Sequence, residues 1–217
     1  LHVAYQPIFD LTRGTVLGYE ALLRPNEGSP LAVIDTARRE GWVSELDRWV
    51  IKQACLEAAD WLAPYEVLFV NTEPETVAEL SVQDLLRLAL PSEQVVIEMT
   101  ERAPMEALNV RPLRTSGVRL ALDDFGCGHS NLVALESLRP DFLKLDHRFW
   151  ARHRDEAVAM LAETERMGCS LIVEGIETEE DLVSVRRLSI PYAQGFYLGR
   201  PAVKFQEQAN RHVWVPP

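Results

Sequence analysis

Glu20, Asn71, Glu98, Asp123 with Asp124, Lys144, Glu174 and Gln194 each stand within or directly after a short apolar, β-branched run. Carboxylates and amides without a cysteine or ordered histidine motif form an all-oxygen donor set, which suits Mg²⁺ or Mn²⁺ better than zinc. Two such cations about 3.5–4 Å apart are the standard device for phosphodiester hydrolysis. Each residue alone has a plainer reading. A single Glu in a strand commonly faces solvent, an Asp-Asp pair beside glycine makes a turn or a helix cap, and a lone lysine forms an ion pair. Repetition weakens that reading, because carboxylates gathered round one axis carry a desolvation and repulsion cost that Lys144 alone cannot offset. A divalent cation can. His2, His129, His147, His153 and His212 show no HExxH spacing and read as surface or packing residues.

The elements that must position these groups follow from hydrophobic periodicity. Eight short runs read as strands: Val3 to Phe9, Val16 to Leu23, Val67 to Asn71, Val95 to Met99, Val118 to Asp124, Phe142 to Asp146, Leu171 to Glu174 and Tyr192 to Phe196. Between them, apolar residues recur at three- and four-residue spacing over Leu31 to Glu40, Ser44 to Leu62, Val82 to Leu90, Leu108 to Thr115, Asn131 to Leu138, Arg148 to Met167 and Glu179 to Leu188. The clearest of these helices is Ser44 to Leu62, with Leu46, Trp49, Val50, Ala54, Leu56 and Trp61 as its apolar stripe and Ser44 as its start signal. Asp10 to Thr15 is too short for a crossover helix but suits an antiparallel hairpin turn around Gly14. The pattern predicts an α/β fold, a modified (β/α)₈ TIM-like barrel with an antiparallel strand near the N-terminus. In a barrel the strand ends converge on one face, so charges scattered in sequence would become one cluster.

Composition sets bounds on function. The chain has 217 residues, of which 47% are apolar and 25% charged, and it contains no tract of about 18 consecutive apolar residues that could form a membrane-spanning helix. Its formal net charge of −11 disfavours a sequence-independent grip on a nucleic-acid polymer. Cys55, Cys127 and Cys169 are far apart and form no CxxC pair, which argues against both a disulfide framework and a cysteine metal site and fits a reducing cytoplasm. The N-terminus shows no secretory signal and enters a strand at once, as a domain cut from a longer chain would. One domain over 1–217, without contact with a membrane, is the expected organisation.

Tyr19-Glu20-Ala21-Leu22-Leu23-Arg24 resembles the signature of the EAL domains, cyclic di-GMP phosphodiesterases of bacterial second-messenger signalling. The likeness continues in order through Gln6-Pro7-Ile8, Leu46-Asp47-Arg48-Trp49-Val50, Val70-Asn71, Ile97-Glu98-Met99-Thr100-Glu101, Asp123-Asp124-Phe125-Gly126, Leu143-Lys144-Leu145-Asp146, Val173-Glu174-Gly175-Ile176-Glu177-Thr178 and Gln194-Gly195-Phe196. A lone Glu-Ala-Leu arises by chance, whereas this ordered series is specific.

The resemblance implies hydrolysis of cyclic di-GMP to linear pGpG with two divalent cations, Mg²⁺ or Mn²⁺. It assigns Glu20, Asn71, Glu98 and Asp123 to one cation, and Asp123, Asp124 and Glu174 to the other. Lys144 would orient the attacking water, Glu174 is also a general-base candidate, and Gln194 would lie close to water and phosphate. Gln6, Leu22 and Arg24 would shape the ligand groove, with Arg24 as the local cation that phosphate requires. Glu177 would support the site and Glu101 would anchor the loop from Asp124 to Asn131. His129 and Asn131 depart from the aromatic and the serine common there. The resemblance further implies a homodimer paired through helices beside that loop, and sensory or GGDEF-type domains elsewhere on a full-length chain.

Two competing readings remain. A catalytically silent module that binds cyclic di-GMP or a protein partner would usually lack some of the metal residues, all of which are retained here. A sugar-processing barrel with paired carboxylates leaves Asn71, Lys144 and the Asp-Asp pair without a joint purpose.

Overall fold

The computed structural model describes residues 1–100, 108–125 and 132–203. The expectations for Glu101, Cys127, His129, Asn131 and His212 therefore lie outside the described residues. In chain order the elements are β1 (His2–Asp10), β2 (Thr15–Arg24), α1 (Pro30–Glu40), α2 (Val43–Ala58), β3 (Val67–Asn71), α3 (Pro74–Glu79), α4 (Val82–Leu86), β4 (Val95–Thr100), α5 (Arg111–Ser116), β5 (Arg119–Phe125), α6 (Leu132–Leu138), β6 (Phe142–Leu145), α7 (His147–Trp150), α8 (Arg154–Met167), β7 (Ser170–Val173), α9 (Glu179–Arg187) and β8 (Tyr192–Gln194).

The eight strands close into a barrel in sequence order. β1 runs antiparallel to both of its neighbours, β2 and β8, and the remaining neighbours are parallel. The hairpin joining β1 to β2 is short because Asp10 Oδ1 accepts from the backbone N–H groups of Thr12 and Arg13, each at 2.9 Å. Gly14 completes the turn at φ 69°, a conformation that a side chain disfavours.

Strand residues alternate between two environments. Leu68, Val70, Ile97, Leu120, Leu122, Leu143 and Val173 face outward and pack with the helices in the larger apolar cluster. Ile8, Val67, Phe69, Val96, Ala121, Phe142 and Ile172 face inward and fill the barrel axis. Phe69 and Phe142 meet edge to face there, with ring centroids 5.0 Å apart.

The helices depart from periodicity in three places. The first α2 residue is Val43, with Trp42 at the cap position and no side-chain cap, so Ser44 is inside the helix rather than at its start. Its buried face is Val43, Leu46, Asp47, Val50, Ile51, Ala54, Cys55 and Ala58, while Trp49 and Leu56 are exposed. Trp61 lies beyond the helix end and stacks edge-on with both Tyr5 and Tyr19. The stretch from Arg148 to Met167 divides into α7 and α8. A short helix absent from the periodicity, α3, follows β3 directly. Among the described residues, no helix is long and apolar enough to cross a membrane.

Candidate functional site

The site is built by moving two residues along each strand from the inner apolar layer. Phe69 is followed on the same face by Asn71, Val96 by Glu98, Ala121 by Asp123, Phe142 by Lys144, Ile172 by Glu174 and Tyr192 by Gln194. Gln6 occupies the corresponding place on antiparallel β1 and is register partner to Glu20 of β2. Alternation would turn Asp124 to the opposite face from Asp123. The β5–β6 register shifts between Leu122 and Phe125, and Asp124 has φ 57°. This local break lets the adjacent carboxylates serve one site, with oxygens of Asp123, Asp124 and Glu174 all within 4.8 Å of one another.

Lys144 stands at the centre and is completely buried. Its Nζ lies 2.7 Å from Glu174 Oε1, 3.3 Å from Glu20 Oε2 and 3.6 Å from Asp123 Oδ1, and it also pairs with Glu98 Oε1. Glu20 receives two further bonds, from Asn71 Nδ2 at 2.7 Å and from Gln194 Nε2 at 2.6 Å. Accessibility is graded: the Glu98 side chain is fully enclosed, whereas those of Asp123 and Glu174 are 13% and 21% exposed. The exposed pair marks the side open to a ligand.

Burial and charge pull against one another throughout. Burial alone would lower the Lys144 pKa, but Asp123, Glu174, Glu20 and Glu98 together hold it well above the ordinary lysine value. Burial also acts to raise Glu20, yet Lys144 and the donors on Gln194 and Asn71 keep its carboxyl below the usual range. Burial carries Glu98 and Glu174 well above it, with Lys144 opposing, and raises Asp123 as well. Four carboxylates thus share one amine, with Asp124 a fifth beside Asp123 and Glu174. Among the described residues, the buried Oε2 of Glu98 and Oε1 of Gln194 have no hydrogen-bond partner. Unpaired acceptors beside surplus carboxylates fit a hard divalent cation, which needs oxygen ligands and supplies positive charge.

The rim residues occupy different surroundings. Gln6 is buried, and its Nε2 donates to the Gly199 carbonyl at 3.0 Å. Arg24 and Leu22 are half-buried at the end of β2, and an Arg24 guanidinium N–H donates to the Leu23 carbonyl at 3.0 Å. Glu177 is exposed beyond β7, and its backbone N–H donates to Asp181.

Two supporting residues escaped the sequence reading. Asp47 on α2 accepts from the Glu73 N–H at 2.8 Å and from the Thr76 hydroxyl at 2.6 Å, which fixes the turn leaving Asn71. Its appearance within Leu46-Asp47-Arg48, a charged residue on the apolar face of a helix, was the available signal. Trp150 donates its indole N–H to the Glu174 carbonyl at 2.9 Å. Its sequence neighbours gave no sign of that partner.

Comparison with known proteins places these motifs in a family context. Residues 1–201 match the model of the EAL domain. The chain is 33% identical over 225 residues to the cyclic di-GMP phosphodiesterase NbdA of Pseudomonas aeruginosa, covering 93% of this chain and 29% of that protein. It resembles the solved cyclic di-GMP complex of the PaMucR phosphodiesterase with a TM-score of 0.82 and 30% identity, covering 94% of this chain and 92% of that one. It also resembles the manganese and cyclic di-GMP complex of Klebsiella pneumoniae BlrP1 at pH 9.0, with a TM-score of 0.83 and 26% identity over 93% of this chain and 56% of that one. The chain spans 27% to 31% of the length of four curated relatives, including an uncharacterized signaling protein of Caulobacter vibrioides.

Proposed function

Because the chain belongs to the EAL domain family, we propose that its barrel hydrolyses cyclic di-GMP to linear pGpG in bacterial second-messenger signalling. The observation that carries this reading is the convergence of Glu20, Asn71, Glu98, Asp123, Asp124 and Glu174 around Lys144, on one layer of the barrel. The names of NbdA and of the PaMucR and BlrP1 complexes support the same substrate.

In the reaction the water oxygen adds to phosphorus, the P–O3′ bond breaks, and a 5′-phosphate and a 3′-hydroxyl result. Two divalent cations, Mg²⁺ or Mn²⁺, would polarise the phosphate and acidify the attacking water when bound. Glu20, Asn71, Glu98 and Asp123 would hold one, and Asp123, Asp124 and Glu174 the other. The Asn71 amide donates its N–H to Glu20 and so directs its oxygen elsewhere. Lys144 holds the carboxylates together and would orient the reacting water, while Glu174 at the open side would accept its proton. Gln194, fixed by Glu20, keeps its Oε1 free of a described donor for that water. Arg24, with Gln6 and Leu22 beside it, would capture phosphate at the rim, and Glu177 would support the β7 end.

The same reading makes this chain one cytoplasmic domain of a longer signalling protein, acting as a homodimer. Incubating it with cyclic di-GMP and Mg²⁺ or Mn²⁺, followed by chromatography, tests the activity. Appearance of pGpG supports it; ligand binding without product would instead identify a silent binding module. The absence of both ligand binding and product would overturn the reading.

A further inference from the structure

Glu174 lies one residue past the last paired position of β7, Val173, which is register partner to Ala193. The sheet ladder therefore stops just before the carboxylate that the proposed function needs. Two bonds replace it. The Glu174 N–H donates to the carbonyl of Leu145, the last residue of β6, at 2.9 Å. The Glu174 carbonyl accepts the Trp150 indole N–H, from the last residue of α7, also at 2.9 Å.

The surroundings make that second bond specific. α7 is a single turn, started by Asp146, whose side chain accepts from the Arg148 N–H at 2.7 Å. Trp150 is 1% exposed, so its indole N–H must find a partner inside the protein. The His147 ring stands edge-on to it, with centroids 5.2 Å apart. On the strand side, Gly175 has φ 70°, and a Cβ there would come within 2.6 Å of His147 Cβ. The turn and the strand end are thus in direct contact, and the Trp150 donor bridges them.

A buried carbonyl deprived of its donor carries an unsatisfied-group penalty that favours a shift of the local backbone, and the side chain on that residue shifts with its Cα. Here the side chain is Glu174, whose oxygen must stay near Asp123 and Asp124. We propose that Trp150 is a positioning residue for Glu174, and that its indole N–H sets the affinity of the cation site formed by Asp123, Asp124 and Glu174. The inference rests on the metal-dependent reading above and adds to it a residue outside the ligand set.

Two variants separate positioning from packing. Trp150→Phe keeps an aromatic ring and removes the donor. Site-specific replacement of Trp150 by benzothienylalanine substitutes sulfur for the indole N–H with the bicyclic shape retained. Mn²⁺ titration without substrate, read by the electron paramagnetic resonance of free Mn²⁺, should show one class of sites loosened by about tenfold in both, within the range for loss of a residue that orients a ligand. Leu85→Ala, in α4, provides a control for lowered thermal stability, and its Mn²⁺ isotherm should match the wild type. Unchanged Mn²⁺ affinity in the benzothienylalanine protein would overturn the proposal and leave Trp150 as packing. A wild-type protein that binds no Mn²⁺ would overturn the metal-dependent reading itself and the positioning role with it.

Discussion

Asp47 couples the stability of the barrel to pH in a direction that can be worked out beforehand. Its carboxylate is buried on the inner face of α2 and its pKa is pushed up from 3.8 to about 6. Burial is the main cause, opposed by the Thr76 hydroxyl and the Glu73 N–H, which favour the charged form, and reinforced by the charges of Glu73 and Glu75. Between these two pKa values the folded chain keeps a proton that the unfolded chain has lost. Stability therefore falls as pH rises through this window and is level on either side. A shift of about two units at about 1.4 kcal/mol each amounts to roughly 3 kcal/mol.

Asp47→Asn isolates the effect, since one Asn oxygen can accept both existing bonds and has no proton to lose. Urea unfolding of both proteins at pH 4 and pH 7.5 gives the double difference, and the titrating carboxylates of the site cancel because both proteins carry them. Relative to Asp47→Asn, the wild type should lose about 2.5 kcal/mol between the two pH values, since pH 4 already lies just inside the window. A flat difference would show that the two donors balance burial, and a wild type that gains with pH that they outweigh it; in either case the charged form would be the native one. Because Asp47 holds the turn after Asn71, the same measurement reports how firmly that ligand candidate is anchored.

Asp123→Asn keeps side-chain shape while removing the charge assigned to both cations; pGpG formation should vanish with the thermal midpoint retained, and near-normal turnover would mean that Asp123 is misplaced. Phe69→Ala, in the apolar layer beneath Asn71, should lower unfolding free energy by about 3–5 kcal/mol in urea melts, the usual result of emptying a large core site. Arg24→Ala should raise KM for cyclic di-GMP more than it lowers kcat, since phosphate capture at the rim is uniform binding; the reverse split would place Arg24 in the transition state.

The strand runs, their order and the antiparallel start were legible because period-2 burial inside a closed barrel leaves β-branched residues in sequence and polar residues at the strand ends. Glu20, Asn71, Glu98, Lys144, Glu174 and Gln194 could be singled out in this way. Asp124 could not be oriented, since its position depends on one positive φ and a register shift, neither of which has a compositional mark. The break between α7 and α8 was equally hidden: Ala151, Arg152 and His153 include no glycine or proline, so the periodicity ran straight through it. That break is what ends α7 at Trp150, close to Glu174. On α2, Trp49 and Leu56 fit the apolar period yet lie on the exposed side, because periodicity counts hydrophobic residues without knowing which face the barrel covers.

The two inner layers have opposite energetic characters, and this is the strongest physical sign that the upper one exists for a ligand. Below, Ile8, Val67, Phe69, Val96, Ala121, Phe142 and Ile172 gain from leaving water. One alternation above, four carboxylates meet a fully buried lysine with Asp124 beside them, and enclosed oxygens of Glu98 and Gln194 lack described donors. Folding alone favours continuing the apolar layer upward, since well-packed hydrophobic residues commonly equal or exceed buried ion clusters in stability. A polar layer on such a scaffold is a destabilising arrangement that a bound cation relieves. Whatever binds the folded site and not the unfolded chain must stabilise the barrel in proportion to its occupancy.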